Sequence, residues 1–456
     1  MSISYNALSG ALAAQAALNT VSQNIANAQT KGYTRQGVLL QANAGDGSGQ
    51  SPGNGVQVGS LLRFSDSYKS QQMWRAASDM GNHSQTQPYL TQLEKVMSDD
   101  KSSLSYGIDN FFKALNAAGV DPTSTPLRQQ VITAADSMSQ QFNSIFNVTA
   151  NQLISVQQQR SAILPGLNES VAGIAKLNQQ IIAVGAGGSN TSALIDQREQ
   201  LIDSVASQVG VEVLNNPDGT ATVSLKSGQP LVVGNLSATL AFDTTSGVQQ
   251  LNLTFAQTTF KLDDTKVGGQ LGGLASFQEN TLKPLQQSIA EIADQMSAKV
   301  NAQLAAGFSA PGVPGAALLV FNPASATGLL QVSTGFKTSD LAFSSDGTPG
   351  DSGNLQQLVA IKGQPITLTS LGSLLLGDAD TQLVGKLGID SQQNQAQLNT
   401  ATTVRQQSED DWKSTSAVNT DEEGINLIEF QNMYQANMKV IAVAKTLFDS
   451  TLQMFG

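Results

Sequence analysis

Cysteine is absent from all 456 residues of the chain, and histidine occurs once, at His83. The first absence excludes disulfides, thiolate metal sites and cysteine nucleophiles, and the second excludes metal sites built on several histidines. Charge is also scarce. Only 13% of residues are Asp, Glu, Lys or Arg, against about 25% in an average globular protein. The net charge of −11 disfavours nucleic acid as a partner, because phosphates call for a basic surface. No uninterrupted apolar run approaches the roughly 18 residues a membrane span needs, so no membrane insertion is expected. Met1 to Thr30 holds no Asp, Glu, Lys or Arg, and Ser4, Asn6, Ser9 and Gln15 break up its apolar residues. A secretory signal is therefore not expected there.

What the two ends do contain is heptad spacing. Ala7, Ala11, Ala14, Leu18, Val21, Ile25 and Ala28 recur in alternating steps of four and three, the seam of a coiled coil. Knobs this small bury little area, so such a helix is marginal alone and needs a partner. At the other end Leu427, Tyr434, Ile441, Phe448 and Phe455 are spaced by seven, flanked by Phe430, Ala444 and Leu452, with no Pro or Gly from Ile425 to Phe455. About thirty helical residues there would span roughly 45 Å. Small knobs at one end against bulky ones at the other make a natural pair, and these residues are the candidate assembly interface. The plainer alternative is an ordinary amphipathic helix in a globular core. Because the alanine stripe is weak, both ends are expected to order only on assembly.

The same residues carry a resemblance. Ala7-Leu8-Ser9-Gly10, Ala14 to Leu18, and Asn24-Ile25-Ala26-Asn27-Ala28-Gln29-Thr30-Lys31-Gly32-Tyr33 resemble the N-terminal motif of the bacterial flagellar axial proteins, the rod, hook and hook-associated proteins. Leu427 to Ile441 resembles their C-terminal motif. Lys31 departs from a proline common in that family. Further in, Phe111 to Leu115, Pro126 to Gln130, Ala193-Leu194-Ile195-Asp196-Gln197-Arg198-Glu199-Gln200-Leu201 and Val418 to Gly424 resemble signatures of the hook-associated members at the hook–filament junction. So does Gly55-Val56-Gln57-Val58, with Arg63 and Asp66 after it. The resemblance implies a structural protein that polymerises with itself. The implied partners are the flagellar hook protein and a second hook-associated junction protein. It further implies export through the flagellar type III apparatus, a cytoplasmic export chaperone on the C-terminal region, and a final extracellular place on the flagellum.

Between the ends, Gly45 to Gly55 is a glycine-rich connector, Val56 and Val58 read as a short strand, and a helix is expected from Asp66. A second four–three stripe runs from Phe142 to Ile181, with Pro165 expected to kink it or to divide it into two helices. Leu194 to Val209 reads as a helix. The period then changes to two: Val211/Val213, Val223/Leu225, Leu236 to Phe242 and Leu251 to Phe255 alternate, punctuated by Asn215 to Gly219 and Ser227-Gly228. Gly268 to Gly273 reads as the exit from this module. Leu282 to Leu304 returns to helix, 310–380 reads as loops with short strands, and Gln382 to Trp412 is helical again. The expected fold is mainly α with an inserted β domain, nested in layers. The terminal coiled coil is 1–44 with 418–456. The helical bundle comes from 45–206 and 273–417, and the outer β-rich domain is 207–272, removable without loss of assembly.

Catalysis finds little support. His83 sits in Gly81-Asn82-His83-Ser84 and reads as a surface residue. Asp196, Arg198 and Glu199 read as a solvated helix face. Glu409-Asp410-Asp411 and Asp421-Glu422-Glu423 fit no EF-hand spacing, and the latter reads as acid at a helix start. Trp74 and Trp412 read as core or inter-subunit contacts. No enzyme activity, catalytic residue, metal or cofactor is expected. The competing readings are the hook protein itself, or a type III-secreted effector or adhesin with terminal coiled coils.

Overall fold

The computed structural model describes residues 2–43, 53–245, 249–325 and 328–455. Residues 44–52, which hold most of the glycine-rich connector, lie outside that description. The chain opens with α1 (Ser2–Ala26) and an antiparallel hairpin of β1 (Gln36–Ala42) and β2 (Val56–Arg63). Four helices follow: α2 (Ser67–Met97), α3 (Leu104–Ala118), α4 (Thr125–Ala186) and α5 (Ser192–Gln208). The β insertion comes next. Strands β3 (Val211–Asn215), β4 (Ala221–Leu225), β5 (Pro230–Val233) and β6 (Leu236–Ser237) form one sheet in chain order. Strands β7 (Thr239–Asp243), β8 (Gln250–Phe255) and β9 (Thr258–Lys261) form a second. Then α6 (Gly269–Phe277) runs through a π-helical turn into α7 (Lys283–Ala305). Two small hairpins, β10 (Leu319–Phe321) with β11 (Leu330–Val332) and β12 (Pro365–Leu368) with β13 (Gly372–Leu375), flank α8 (Gly353–Ala360). The long helices α9 (Ala379–Ser416) and α10 (Thr420–Phe455) complete the chain.

Local chemistry sets the helix starts. The Asp66 carboxylate accepts from the backbone N–H groups of Tyr68 and Lys69 and so begins α2 where the sequence reading expects it. Ser103 caps α3 in the same way. Pro126 in the first turn of α4 supplies a preset φ where no backbone donor is needed.

The expected long helix is longer than its stripe: α4 runs 62 residues, about 93 Å. It is one helix, not two. Pro165 lies inside it with an exposed side chain, so the missing hydrogen bond faces water while Ile163, Leu164 and Leu167 stay buried. Three other readings are corrected. The glycines at 268–273 do not only mark an exit, since α6 begins at Gly269. Segment 310–380 holds a helix, α8, as well as strands. Segment 1–44 contains β1 after its helix.

The bundle and the β insertion share one apolar core that extends from Trp74 to Leu387. Two asparagines of α4 tie the strands to it. Asn168 donates to the Leu240 carbonyl and accepts from its N–H. Asn178 donates to the Ala221 and Gly234 carbonyls and accepts from the Ala221 N–H. Arg160, fully buried on the same helix, pairs with Asp264 and stacks on Phe242. Burial pushes the Asp264 carboxyl above its usual range, with Arg160 opposing. Excising 207–272 would therefore strip Asn168, Asn178 and Arg160 of α4 of these partners.

The nesting is physical. α2 pairs antiparallel with α9 through His83–Asn394, Gln87–Ser391 and Arg405 on the Met73 carbonyl. α1 pairs with α10.

Candidate assembly interface

The terminal pair is antiparallel, in a register fixed at two points. Asn24 donates to the Glu423 carboxylate at 3.1 Å. Near the other end, Gly10 lets the helices approach so closely that a Cβ there would sit 2.5 Å from Asn437 Oδ1. Of the expected N-terminal stripe, Ala7, Ala11, Ala14 and Val21 are buried, Leu18 is half-buried and Ile25 is 39% exposed. Ala28 falls in the turn after α1, which ends at Ala26. On α10, Phe430, Tyr434, Ile441 and Ala444 are half-buried, while Leu427, Phe448 and Leu452 are exposed. The side chain of Phe455 lies outside the described residues.

In this register α10 continues past the N-terminal end of α1 by about ten residues, or ~15 Å. Leu447, Phe448 (61% exposed), Leu452 and Met454 lie on that overhang with no facing helix, and Ile425, Ile428 and Val443 are exposed along the paired part. Ala13 and Ala17 are buried off the expected stripe; the alanine-rich composition, rather than the period, is the signal for them.

Sequence reasoning missed the joint between this pair and the bundle. Asn24 is buried, accepts from Tyr33 Oη at 2.9 Å and the Gln36 N–H at 3.1 Å, and donates to the Gln36 carbonyl at 2.8 Å. It thereby folds the chain back at the end of α1 and delivers it into β1. Thr34 donates its N–H to Asp196 at 3.1 Å. Arg63, at the end of β2, forks onto Asp196 at 2.7 Å and Glu199 at 2.8 Å and also reaches Thr34 Oγ1. Arg35 pairs with Glu422, and its N–H donates to the Ser416 carbonyl. Asp196 and Arg198 are thus buried, not a solvated face: Asp196 binds the joint, and Arg198 binds Asn178 and the Gly219 carbonyl.

Burial, with Asp196 and Glu423 nearby, pushes the Tyr33 phenol above its ordinary pKa. Burial alone would lower the Arg63 guanidinium; Glu199 and Asp196 outweigh it and hold it above its usual value. Asp421, Glu422 and Glu423 occupy the first turn of α10, where acids complement the helix dipole.

Beside the joint lies a cleft of about 820 Å³. Its walls are the 28–33 turn, α5 from Asp196 to Ser204, and α9 from Arg405 to Lys413, with Ala417 and Val418 beyond it. Arg405 spans two of these walls, forking onto Asp203 at 2.8 and 2.9 Å. Trp412 and Trp74 are both buried. His83 is half-buried against Asn394 rather than free on the surface. Among the described residues no cluster of three or more His, Asp or Glu side chains is arranged to hold a metal ion.

Comparison with known proteins places this geometry. The model of the flagellar hook-associated protein FlgK helical domain matches residues 90–319, half of the chain. The flagella basal body rod protein model matches residues 5–34, and the model of the flagellar basal body rod FlgEFG protein C-terminal region matches 414–454. The latter two cover α1 and α10. Flagellar hook-associated protein 1 of Salmonella typhimurium is 32% identical over 325 residues, 68% of this chain and 58% of that protein. The chain therefore spans less than two thirds of that relative's length. Flagellar hook-associated protein 1 of Bacillus subtilis is 27% identical over 499 residues, covering 97% of this chain and 96% of that protein. The solved flagellar hook junction protein FlgK from Burkholderia pseudomallei superposes with a TM-score of 0.52 at 27% identity, over 55% of this chain and 47% of that one. The chain belongs to the family of flagellar hook-associated proteins typified by FlgK.

Proposed function

We propose that the chain is a non-catalytic structural subunit of the junction between flagellar hook and filament. Copies polymerise through α1 and α10, so that the candidate stripe residues on both helices lie in or beside the inter-subunit contact. The observation that carries this reading is the state of α10. It is a 36-residue helix that contributes no buried apolar side chain among the described residues, yet exposes Ile425, Ile428, Val443, Leu447, Phe448 and Leu452. A helix with that much bare apolar surface is built to be covered. The names of the relatives support the location. The flagellar hook protein and a second hook-associated junction protein are the neighbours on either side. A cytoplasmic export chaperone covers the C-terminal region before passage through the flagellar type III apparatus. In domain terms, 1–44 and 418–456 form the assembling layer, 45–206 and 273–417 the bundle, and 207–272 the β layer. A strain lacking the chain is expected to build hooks but shed filament subunits into the medium, with restoration on complementation. Normal filaments in that strain would refute the reading.

A further inference from the structure

The first sheet of the β insertion ends on an unpaired edge. Strand β3 is its outermost member and pairs on one side only, with β4. The Lys226 N–H donates to the Gly210 carbonyl and the Asn216 N–H to the Thr220 carbonyl. The even-numbered residues of β3 therefore turn their main-chain groups toward β4, and Val211, Val213 and Asn215 point theirs the other way. Gln71 of α2 donates its side-chain amide to the Val213 carbonyl at 3.2 Å. Among the described residues the remaining N–H and C=O groups of these three have no partner, although Val211 and Val213 are buried. Buried main-chain groups are normally paired.

Beside that edge lies a groove of about 340 Å³, walled by Gln71, Trp74 and Arg75 of α2 and by Val211 to Leu214 of β3. Trp74 is 3% exposed, and its indole N–H has no acceptor among the described residues. Main-chain donors and acceptors recurring about every 6.8 Å along a strand edge complement an extended polypeptide backbone. The Trp74 N–H adds a donor for one further carbonyl. Arg75 and Glu212 at the rim are both exposed and opposite in sign, so the groove selects by main chain and not by net charge. We infer that an extended peptide segment of a partner protein adds to β3 as a fifth strand of this sheet, lying in the groove against α2. Its backbone takes the Trp74 N–H and replaces the Gln71 amide on Val213. The contact uses neither α1 nor α10, and so stands apart from the proposed assembly interface.

Trp412→Phe in the full-length chain leaves Trp74 as the only indole, which makes it the reporter. The probe is an acetylated, amidated pentapeptide of alternating threonine and valine, and its control is the same peptide N-methylated throughout. The plain peptide should change the Trp74 emission saturably in titrations to about 1 mM, and the methylated one should not. Asn215→Pro removes an outward N–H and no ladder bond, so it should weaken binding about tenfold with the Tm unchanged. Gln71→Ala frees the Val213 carbonyl and should tighten binding. Equal response to both peptides, no saturable change, or unaltered affinity in both variants overturns the inference. A dimer of the unaltered chain that Asn215→Pro dissociates would make a second copy the occupant, and overturns it too. Each of these outcomes leaves the proposed function standing.

Discussion

The bundle buries Phe111, Phe112, Phe142 and Met138 completely, whereas the terminal pair buries alanines and nothing apolar larger than Val21 among its described residues. Burying a Phe, Leu or Met side chain contributes about 1.5–3 kcal/mol, and an alanine methyl only about 0.8 kcal/mol. The continuous core stops at Trp74 on one side and Leu387 on the other, so neither α1 nor α10 shares in it. What ties the terminal segment to the bundle is polar: Arg63 and Thr34 on Asp196 and Glu199 of α5, and the Arg35 N–H on the Ser416 carbonyl of α9. One region thus carries a large apolar core of its own, and the other closes over alanines while leaving its larger apolar side chains exposed.

The largest expected effect lies on the bundle side. Phe142→Ala should cost about 3–5 kcal/mol, from lost transfer energy and the cavity left behind. Thermal unfolding of the isolated chain should show a large fall in Tm. A small fall would mean that the bundle core is not where the stability resides.

Arg63→Ala comes next. It leaves the buried Asp196 carboxylate and the partly buried Glu199 carboxylate beside each other without their cation, a loss of about 3 kcal/mol at the joint. The comparison predicts that this loss stays local. Trypsin should cut faster at Lys31 and Arg35 while the main unfolding transition moves little. A shift of that transition as large as that of Phe142→Ala would show that joint and bundle unfold together.

Gly10→Val should act only on the terminal pair. Its Cβ would meet the Asn437 amide at 2.5 Å, and that amide already donates to the Met433 carbonyl. Overpacking of this kind costs about 1–3 kcal/mol. The expected readout is faster cleavage at Lys439 and Lys445 with an unchanged bundle. Unchanged cleavage would mean that the helices part without strain at this position.

The same contrast explains what the sequence disclosed. Period and composition located α4, α5, α7, α9 and the strands β2, β3, β4, β7 and β8, because a residue facing a core must be apolar at a fixed spacing. They located α1 and α10 for the same reason, each helix supplying part of the other's facing surface. The joint was not legible. Asp196 and Arg198 are charged, and a charged residue on a helix reads as solvated unless its partners are known. Those partners, Arg63 and Thr34 for the first and Asn178 for the second, are far off in sequence. The attachment of the β insertion was hidden similarly, since Asn168 and Asn178 bind backbone groups that no side-chain pattern reports.

Phe448→Asp has the smallest expected effect on the isolated chain and separates the two regions most sharply. Phe448 is 61% exposed and lies on the overhang of α10, beyond the reach of α1. Replacing it removes no buried contact, and surface substitutions of this kind usually change stability by less than about 0.5 kcal/mol. The Tm and the proteolysis pattern should match those of the unaltered chain. In the proposed assembly the same position is desolvated against a neighbour, and an unpaired carboxylate there is strongly unfavourable. Incorporation at the hook tip should therefore be lost and motility with it. The direction of pH supports a further reading of the same variant: protonating the new carboxylate near its ordinary pKa of about 4 removes the charge, so assembly in vitro should recover partly as pH falls toward that value. A variant that unfolds early would place Phe448 in the chain's own core. One that swims normally would remove α10 from the assembly contact altogether, and with it the division of labour between the two regions.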